Sequence, residues 1–257
     1  MSQNKNISII KQLDAINNKI KFQEEDRKYL SDRKSFAQQI DFPDLFDYID
    51  QFALYAGLQT IGSKLFCYEV IKRTIKIPGH ICEFGVWKGS NLLFMAKVLQ
   101  LLQPNTYKLI FGFDNFSGLP IPLEKDGSYA RESSGKYRGD EKILRDAIAL
   151  YNLDAWCHLI VGDAVQTIKD FENAKPEVLV SLAWIDFDIY EPCAVALDFL
   201  SRRLAIGGII VFDEAISHLW PGETIAMLEF LNKRDGSYIM ESNYISRQPT
   251  MMIIRES

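Results

Sequence analysis

The segment HICEFGVWKGSN, residues 80–91, predicts a buried β-strand, a glycine turn and the start of a helix. A dinucleotide-binding turn of this shape carries G-x-G-x-x-G, so that its backbone can approach a pyrophosphate. Here only Gly85 and Gly89 remain, and Glu83 stands where the first glycine belongs. A carboxylate repels a pyrophosphate but suits a cationic ligand. The segment therefore indicates a nucleotide-type fold with an unusual ligand.

Strands and helices alternate on both sides of this segment. Short apolar runs predict strands at 80–86, 108–114, 156–164, 178–188 and 207–214. Longer periodic runs predict helices at 90–102, with Ser90 as N-cap, and at 141–151, 192–204 and 223–234. Residues 238–255 read as two strands joined by a turn. The pattern predicts an α/β fold: a doubly wound, mostly parallel seven-stranded sheet with an antiparallel C-terminal pair.

Residues 1–76 differ from residues 77–257 and predict a helical extension ahead of the main domain. Ile9, Leu13, Ile16 and Ile20 form one apolar stripe at helical spacing. The stripe is too short to indicate a coiled coil. It suits a helix packed on its own domain or a homodimer contact equally well.

Overall composition excludes several classes of protein. The net charge of −5 argues against broad nucleic-acid binding, which usually shows a basic excess. No apolar run approaches the ~20 residues needed to span a bilayer, and the N-terminus lacks the apolar core of a signal peptide. Four scattered cysteines in apolar surroundings indicate buried free thiols. We therefore expect a soluble, cytoplasmic protein with no membrane partner.

Residues 117–140 interrupt the alternation. This segment has no clear period and is rich in Gly, Pro, Ser and charge. Loops of this length in compact domains are usually functional or disordered. Because it follows a strand end, on the face where such sheets bind ligands, we predict a mobile lid. A disordered surface insertion is the alternative.

Acids collect near the carboxyl ends of the first three predicted strands, where open α/β sheets bind ligands: Glu83 lies in the first strand, Asp114 ends the second and Asp163 follows the apolar run of the third. Asp114 is placed to accept hydrogen bonds from ribose hydroxyls, and Asp163 could reach an adenine amine. Together with Glu83, these acids predict that the ligand is a nucleoside with a positive charge and without a phosphate. S-adenosylmethionine has these properties. We assign its binding to Glu83, Gly85, Gly89, Ser90, Asp114 and Asp163.

A second group of acids follows the fourth and fifth predicted strands. Asp186 and the Asp213–Glu214 pair should be neighbours, because consecutive strands of this sheet lie about 4.8 Å apart. Carboxylates that converge in a cleft repel one another unless a cation lies between them. A hard divalent cation, Mg²⁺ above all, suits oxygen ligands. The alternative is that Asp213 or Glu214 caps the next segment while Asp188 is solvated.

The chain resembles the macrocin O-methyltransferase family over residues 55–235. The resemblance rests on residues 55–91, on FGFDNFSGLP (111–120) and on residues 182–214, which contain D-x-D-x-Y-E and GG…D-E. It implies a class I, Rossmann-like methyltransferase that uses S-adenosylmethionine to methylate sugar hydroxyls of natural products. By position it implies Mg²⁺ ligation by Asp186, Asp213 and Glu214. Glu214 departs from the family, which commonly has a second Asp there.

The predicted reaction is transfer of a methyl group from the donor sulfonium to an acceptor hydroxyl. Asp186 is the first candidate for the base that takes the hydroxyl proton, as well as a metal ligand. His218 is the second, because imidazole titrates near neutrality, although a surface-loop histidine is the competing interpretation. Trp87 and Trp220 are candidates for the cleft wall or for the core.

Three other functions remain open at this point. A metal-independent N-methyltransferase for small molecules would need the same donor site and no metal ligands. A nucleotide-sugar oxidoreductase would need a dinucleotide turn, against which Glu83 argues. A non-catalytic scaffold could retain the fold without turnover.

Overall fold

A computed structural model of the protein describes residues 49–233 and 236–257. It contains a seven-stranded sheet in the order β3-β2-β1-β4-β5-β7-β6. The strands are β1 (His80–Phe84), β2 (Ile110–Asp114), β3 (Cys157–Val161), β4 (Val180–Ile185), β5 (Leu204–Phe212), β6 (Tyr238–Ser242) and β7 (Met251–Arg255). β1 to β5 run parallel, and β7 lies antiparallel between β5 and β6. The predicted fold class is confirmed.

Helices connect the strands and cover both faces of the sheet. The α-helices are α1 (Leu58–Thr74), α2 (Ser90–Leu102), α3 (Gly127–Glu132), α4 (Glu141–Leu150), α5 (Ala164–Ala174), α6 (Tyr190–Arg203) and α7 (Pro221–Lys233). Short 3₁₀ turns lie at Phe52–Leu54 and Glu124–Asp126. In the described part of the chain no helix is long and apolar enough to cross a membrane.

The core consists of two apolar layers, one on each face of the sheet. Strand β1 shows the division: Ile81 belongs to the layer with α1 and α2, whereas Cys82 and Phe84 belong to the layer with α5 and α6. Side chains of a strand alternate between faces, so a strand covered on both sides is apolar throughout. Glu83, on the same face as Ile81, is the exception in β1 and is 1% exposed. All four cysteines are buried and free, as expected.

Some local predictions differ from the structure. Helix α5 was not recognised, although its first residue follows the predicted strand-end acid Asp163. Gly89, in the left-handed region at φ 81°, is the N-cap of α2, and Ser90 is its first residue. The prediction that Ser90 is the N-cap is therefore wrong. The apolar stripe Ile9–Ile20 lies outside the described residues.

Residues 117–140 are ordered in the structure and contain the second 3₁₀ turn and α3. Asp126 anchors them: its Oδ2 accepts from Leu123 N at 2.7 Å, and its Oδ1 accepts from Tyr190 N at 2.6 Å. Its side chain is fully buried. A Cβ atom on Gly222 would lie 2.0 Å from Asp126 Oδ1. The segment is thus held against the N-termini of α6 and α7, and its motion as a lid stays a prediction.

Candidate functional site

A cavity of about 880 Å³ opens at the carboxyl ends of β1, β2, β4 and β5. This is the size range of ligand pockets, at the point where the strand order reverses between β1 and β4. Eight acids and no Lys, Arg or His are among the described residues that line it; the acids are Asp114, Asp126, Asp163, Asp186, Asp188, Glu191, Asp213 and Glu214. Such a wall suits a cationic or neutral ligand and disfavours a diphosphate.

The glycine turn after β1 forms one side of the cavity. Gly85 has φ 97°, and a Cβ atom there would lie 1.9 Å from the backbone oxygen of Asp186. Only glycine combines this backbone conformation with so close an approach. The turn after β1 therefore packs directly on the end of β4. Gly85 lines the cavity, and its contact with the donor stays a prediction. Gly89 and Ser90 begin α2 behind this turn.

Asp114 joins the turn to the end of β2. Its Oδ2 accepts from Val86 N and Trp87 N, each at 2.7 Å, and its Oδ1 accepts from Phe116 N at 2.6 Å. These bonds fix the two strand-end loops relative to each other. Asp114 also lines the cavity, so its predicted contact with a ribose would come in addition to this structural role.

Glu83 lies behind the turn and is not among the described residues that line the cavity. Its Oε1 accepts from Asn91 Nδ2 at 3.0 Å, and Asn91 Oδ1 accepts from Lys64 Nζ at 3.4 Å. Its buried Oε2 has no hydrogen-bond partner among the residues that the structure describes. Burial raises the pKa of Glu83 to about 8, and the bond from Asn91 and the charge of Lys64 lower it only in part. Direct contact between Glu83 and the donor stays a prediction.

Asp163 lies at the cavity edge beyond β3. It is exposed and caps α5, since its Oδ1 accepts from Val165 N at 3.0 Å. Both Asp163 and Val165 line the cavity. The cap leaves the second carboxylate oxygen without a role in the helix, so the position suits the predicted contact with an adenine amine.

The acids after β4 and β5 meet across the cavity floor. Strands β4 and β5 are hydrogen-bonded neighbours, and Asp186, Asp188 and Asp213 are half-buried where they end. Burial raises the pKa of Asp186 well above its usual value, and the charges of Asp213, Asp188, Glu223 and Glu83 add to this. Burial, with the Asp213 charge, likewise raises the pKa of Asp188. These acids repel one another in the absence of a cation.

Two residues of this acidic centre were missed by the sequence analysis. Gln248 Nε2 donates to Asp213 Oδ2 and, at 2.7 Å, to Glu214 Oε1. Glu223 is fully buried in the first turn of α7, and its Oε1 accepts from Glu214 N at 2.9 Å. The predicted topology contained a signal for Gln248. An antiparallel last strand begins beside the carboxyl end of its parallel neighbour, so the residues just before that strand lie near the acids at this end. For Glu223 only its place in the first helical turn after the acid pair pointed to a role.

The donor chemistry of the centre fits a hard divalent cation. Asp186, Asp213 and Glu214 offer only carboxylate oxygens, the ligands that Mg²⁺ prefers. Their mutual repulsion is also what a cation would relieve. Over residues 49–233 and 236–257, however, no three His, Cys, Asp or Glu side chains are arranged to hold a metal ion. Mg²⁺ ligation therefore stays a prediction.

Aromatic rings form part of the cavity wall. Tyr137, on the segment 117–140, makes edge-to-face contacts with Trp87 at 6.1 Å and Trp220 at 6.2 Å between ring centroids. All three line the cavity; Trp87 is 47% exposed, whereas Trp220 is buried. The predicted wall role of both tryptophans is compatible with these positions. His218 is exposed and is not among the described residues that line the cavity, so its role as a base stays a prediction.

Similar proteins agree with this architecture. The calicheamicin methyltransferase CalS11 superposes with a TM-score of 0.76 at 22% identity, over 90% of this chain and 92% of CalS11. At this identity the similarity establishes the fold alone.

Two curated relatives match about three fifths of the chain. One is the 8-demethyl-8-(2,3-dimethoxy-alpha-L-rhamnosyl)-tetracenomycin-C 4'-O-methyltransferase of Streptomyces olivaceus, 25% identical over 62% of this chain and 60% of the relative. The other is the mycinamicin III 3''-O-methyltransferase of Micromonospora griseorubida, 22% identical over 62% of this chain and 63% of the relative. The matched part of the chain thus spans less than two thirds of either relative.

The family model described as Macrocin-O-methyltransferase (TylF) matches residues 61–240. This range covers β1 to β5, the acidic centre except Gln248, and the whole of the segment 117–140. The chain belongs to the macrocin O-methyltransferase family.

Proposed function

We propose that the protein is an S-adenosylmethionine-dependent O-methyltransferase. Its acceptor is a hydroxyl of a sugar or glycosylated natural product, and a divalent metal assists the reaction. The observation that carries the proposal is the cavity beside Gly85, lined by eight acids and no described basic residue. In a chain of this family, such a cavity suits a cationic, phosphate-free nucleoside.

The donor half of the cavity is assigned from three positions. Gly85 brings the turn after β1 to the end of β4, where the methionyl part of the donor would lie. Asp114, at the end of β2, is placed for the ribose hydroxyls. Asp163, after β3, is placed for the adenine amine. The positive sulfonium then faces the acidic floor formed by the ends of β4 and β5.

The acceptor half is assigned from the aromatic wall and from the relatives. One curated relative is named as a 4'-O-methyltransferase of a rhamnosyl-tetracenomycin, and the other as a mycinamicin III 3''-O-methyltransferase. Trp87 and Tyr137 are partly exposed beside the cavity, and aromatic side chains suit the apolar C–H face of a sugar. The acceptor hydroxyl would then approach the donor from the side of the segment 117–140.

The chemistry needs a base, an aligned hydroxyl and exclusion of water. The acceptor proton passes to Asp186, the hydroxyl oxygen forms a bond to the methyl carbon, and the carbon–sulfur bond breaks with its electron pair left on sulfur. Asp186, Asp213 and Glu214 would hold the metal, which supplies a positive charge that lowers the pKa of a bound hydroxyl. Positioning supplies much of the remaining acceleration.

A transfer assay with methyl-labelled S-adenosylmethionine tests the proposal. We expect label to appear on neutral rhamnosides and other glycosides, to be lost with a chelator, and to return with Mg²⁺. Label on primary amines, with indifference to the chelator, would support the metal-independent N-methyltransferase instead. Asp186→Ala should abolish transfer, and turnover of that variant at the wild-type rate would contradict the assignment of the base.

A further inference from the structure

The loop between β6 and β7, residues 243–250, is built rigidly around two fully buried polar residues, Asn243 and Ser246. Asn243 Nδ2 donates to Ser246 Oγ and to Pro249 O, each at 2.8 Å. Asn243 Oδ1 accepts from Ile245 N at 2.8 Å and from Ser246 N at 3.1 Å. Every one of these bonds closes the loop on itself.

The loop is also fastened to α1. Gln59 Nε2 donates to Gln248 O at 3.2 Å, and Gln59 Oε1 accepts from Arg247 N at 3.1 Å. Gly62 packs beneath the loop, because a Cβ atom there would lie 2.9 Å from Ser246 Cβ. On the other side of the loop, Thr250 N donates to Phe212 O at 3.0 Å at the end of β5. The backbone at Gln248 is therefore held from two directions.

From this fixed backbone, the Gln248 side chain reaches the acidic centre and lines the cavity. Its Nε2 carries two N–H groups, and it donates to Asp213 Oδ2 and Glu214 Oε1. Consecutive residues of an extended chain point to opposite sides, so two adjacent carboxylates do not turn the same way by default. A donor shared between them holds both on the cavity side. Glu223 fixes the same turn from behind, at Glu214 N.

We propose that Gln248 is a positioning residue of the active site, which sets the direction of the Asp213 and Glu214 carboxylates. The inference rests on the proposed function, since it concerns the same acidic centre. The amide suits this task because it donates two hydrogen bonds and carries no charge. The amide aligns the Asp213 and Glu214 carboxylates without cancelling their negative charge, which can then act on a cation or on an acceptor hydroxyl. A lysine would align the pair but would cancel that charge.

Substitution of Gln248 separates positioning from a purely structural role. Gln248→Leu removes the amide, Gln248→Glu keeps its size without an N–H donor, and Gln248→Asn keeps the donor one methylene too short. Gln166→Leu is the matched control, because Gln166 Nε2 donates to a carboxylate, Asp170, at 2.8 Å on the exposed face of α5. Each variant is compared for Mg²⁺ affinity by calorimetry on the methyl-donor-free protein, S-adenosylhomocysteine affinity, Tm, and kcat and KM for the acceptor.

We expect Gln248→Leu to lose about 10- to 100-fold in Mg²⁺ affinity and in kcat/KM, the range seen when residues that orient metal ligands are removed. Gln248→Glu should lose a similar factor in kcat/KM, because its carboxylate has no N–H groups to share between Asp213 and Glu214. Gln248→Asn should retain part of both. Tm and S-adenosylhomocysteine affinity should stay at the wild-type values, as should all four measurements for Gln166→Leu.

Two results would overturn the inference. The first is that Gln248→Leu keeps the wild-type kcat/KM and Mg²⁺ affinity. The second is that the losses in the Leu and Glu variants are accompanied by a fall in Tm and in S-adenosylhomocysteine affinity of similar size. The second would show that Gln248 supports the fold alone. Failure of the proposed function gives a different result, because the wild-type protein would then bind no S-adenosylhomocysteine whatever Gln248 does to Mg²⁺ binding.

Discussion

Replacement of Glu83 by glutamine tests whether a buried carboxyl makes the donor-free protein sensitive to pH. The substituted amide would keep the size of the side chain and the acceptor for Asn91 Nδ2, and the ionisable group would be gone. In the folded protein burial raises the pKa of Glu83 from 4.5 to about 8. The unfolded chain releases the same proton near 4.5, because its carboxyl is solvated.

The sign and size of the effect follow from this difference. Between pH 4.5 and about 8 the folded state binds the proton and the unfolded state does not, so the free energy of unfolding falls as pH rises. One pKa unit corresponds to about 1.4 kcal/mol, which gives this single carboxyl a ceiling of about 5 kcal/mol. Local relaxation and water entry reduce that ceiling, and we expect a measured effect of about 2 kcal/mol or more.

Urea unfolding without ligand, at about pH 5 and about pH 8.5, measures the effect. The wild-type protein should lose more stability between the two pH values than Glu83→Gln does. Asp186, Asp188 and Asp213 also have raised pKa values and titrate in both proteins, so the difference between the two reports Glu83 together with its charge interactions with Asp186 and Asp213. Glu177→Gln, at an exposed site before β4, is the control. Equal losses in the wild type and in Glu83→Gln would refute the reasoning.

Two further substitutions test how the cavity is held together. Asp126→Ala should lower the free energy of unfolding by about 3 kcal/mol in urea titrations, because Leu123 N and Tyr190 N lose a buried carboxyl acceptor. An unchanged free energy of unfolding would contradict the anchoring role of Asp126. Gly85→Ala should cost about 3 kcal/mol or more, since its Cβ would overlap the backbone oxygen of Asp186, and a thermal melt unchanged from the wild type would argue against that close approach.

Local patterns along the chain were sufficient to predict the fold. Apolar runs of strand length, separated by helical periods, predicted the parallel sheet, and the absence of a helix before the last strand predicted its antiparallel end. Asp186 and the Asp213–Glu214 pair were predicted to converge because they end consecutive strands of the sheet, and all three line the cavity. Helix α5 was not predicted, because the spacing of its apolar residues was not compared with the period of a helix.

Contacts between distant parts of the chain could not be predicted in this way. Asp114 was interpreted as a ribose ligand, yet its carboxylate is bonded to backbone N–H groups of a turn that lies 27 and 28 residues earlier. Gln248 joins the acidic centre from 34 residues away, through a loop whose position depends on the pairing of β7 with β5. Such roles arise from tertiary packing and leave no local period or motif in the sequence.

Calorimetric titration of the wild-type protein with S-adenosylhomocysteine and, separately, with NAD tests the central claim most directly. The acid lining of the cavity predicts saturable binding of S-adenosylhomocysteine and no heat of binding with NAD. Binding of NAD without binding of S-adenosylhomocysteine would contradict the donor assignment and favour a dinucleotide-dependent enzyme.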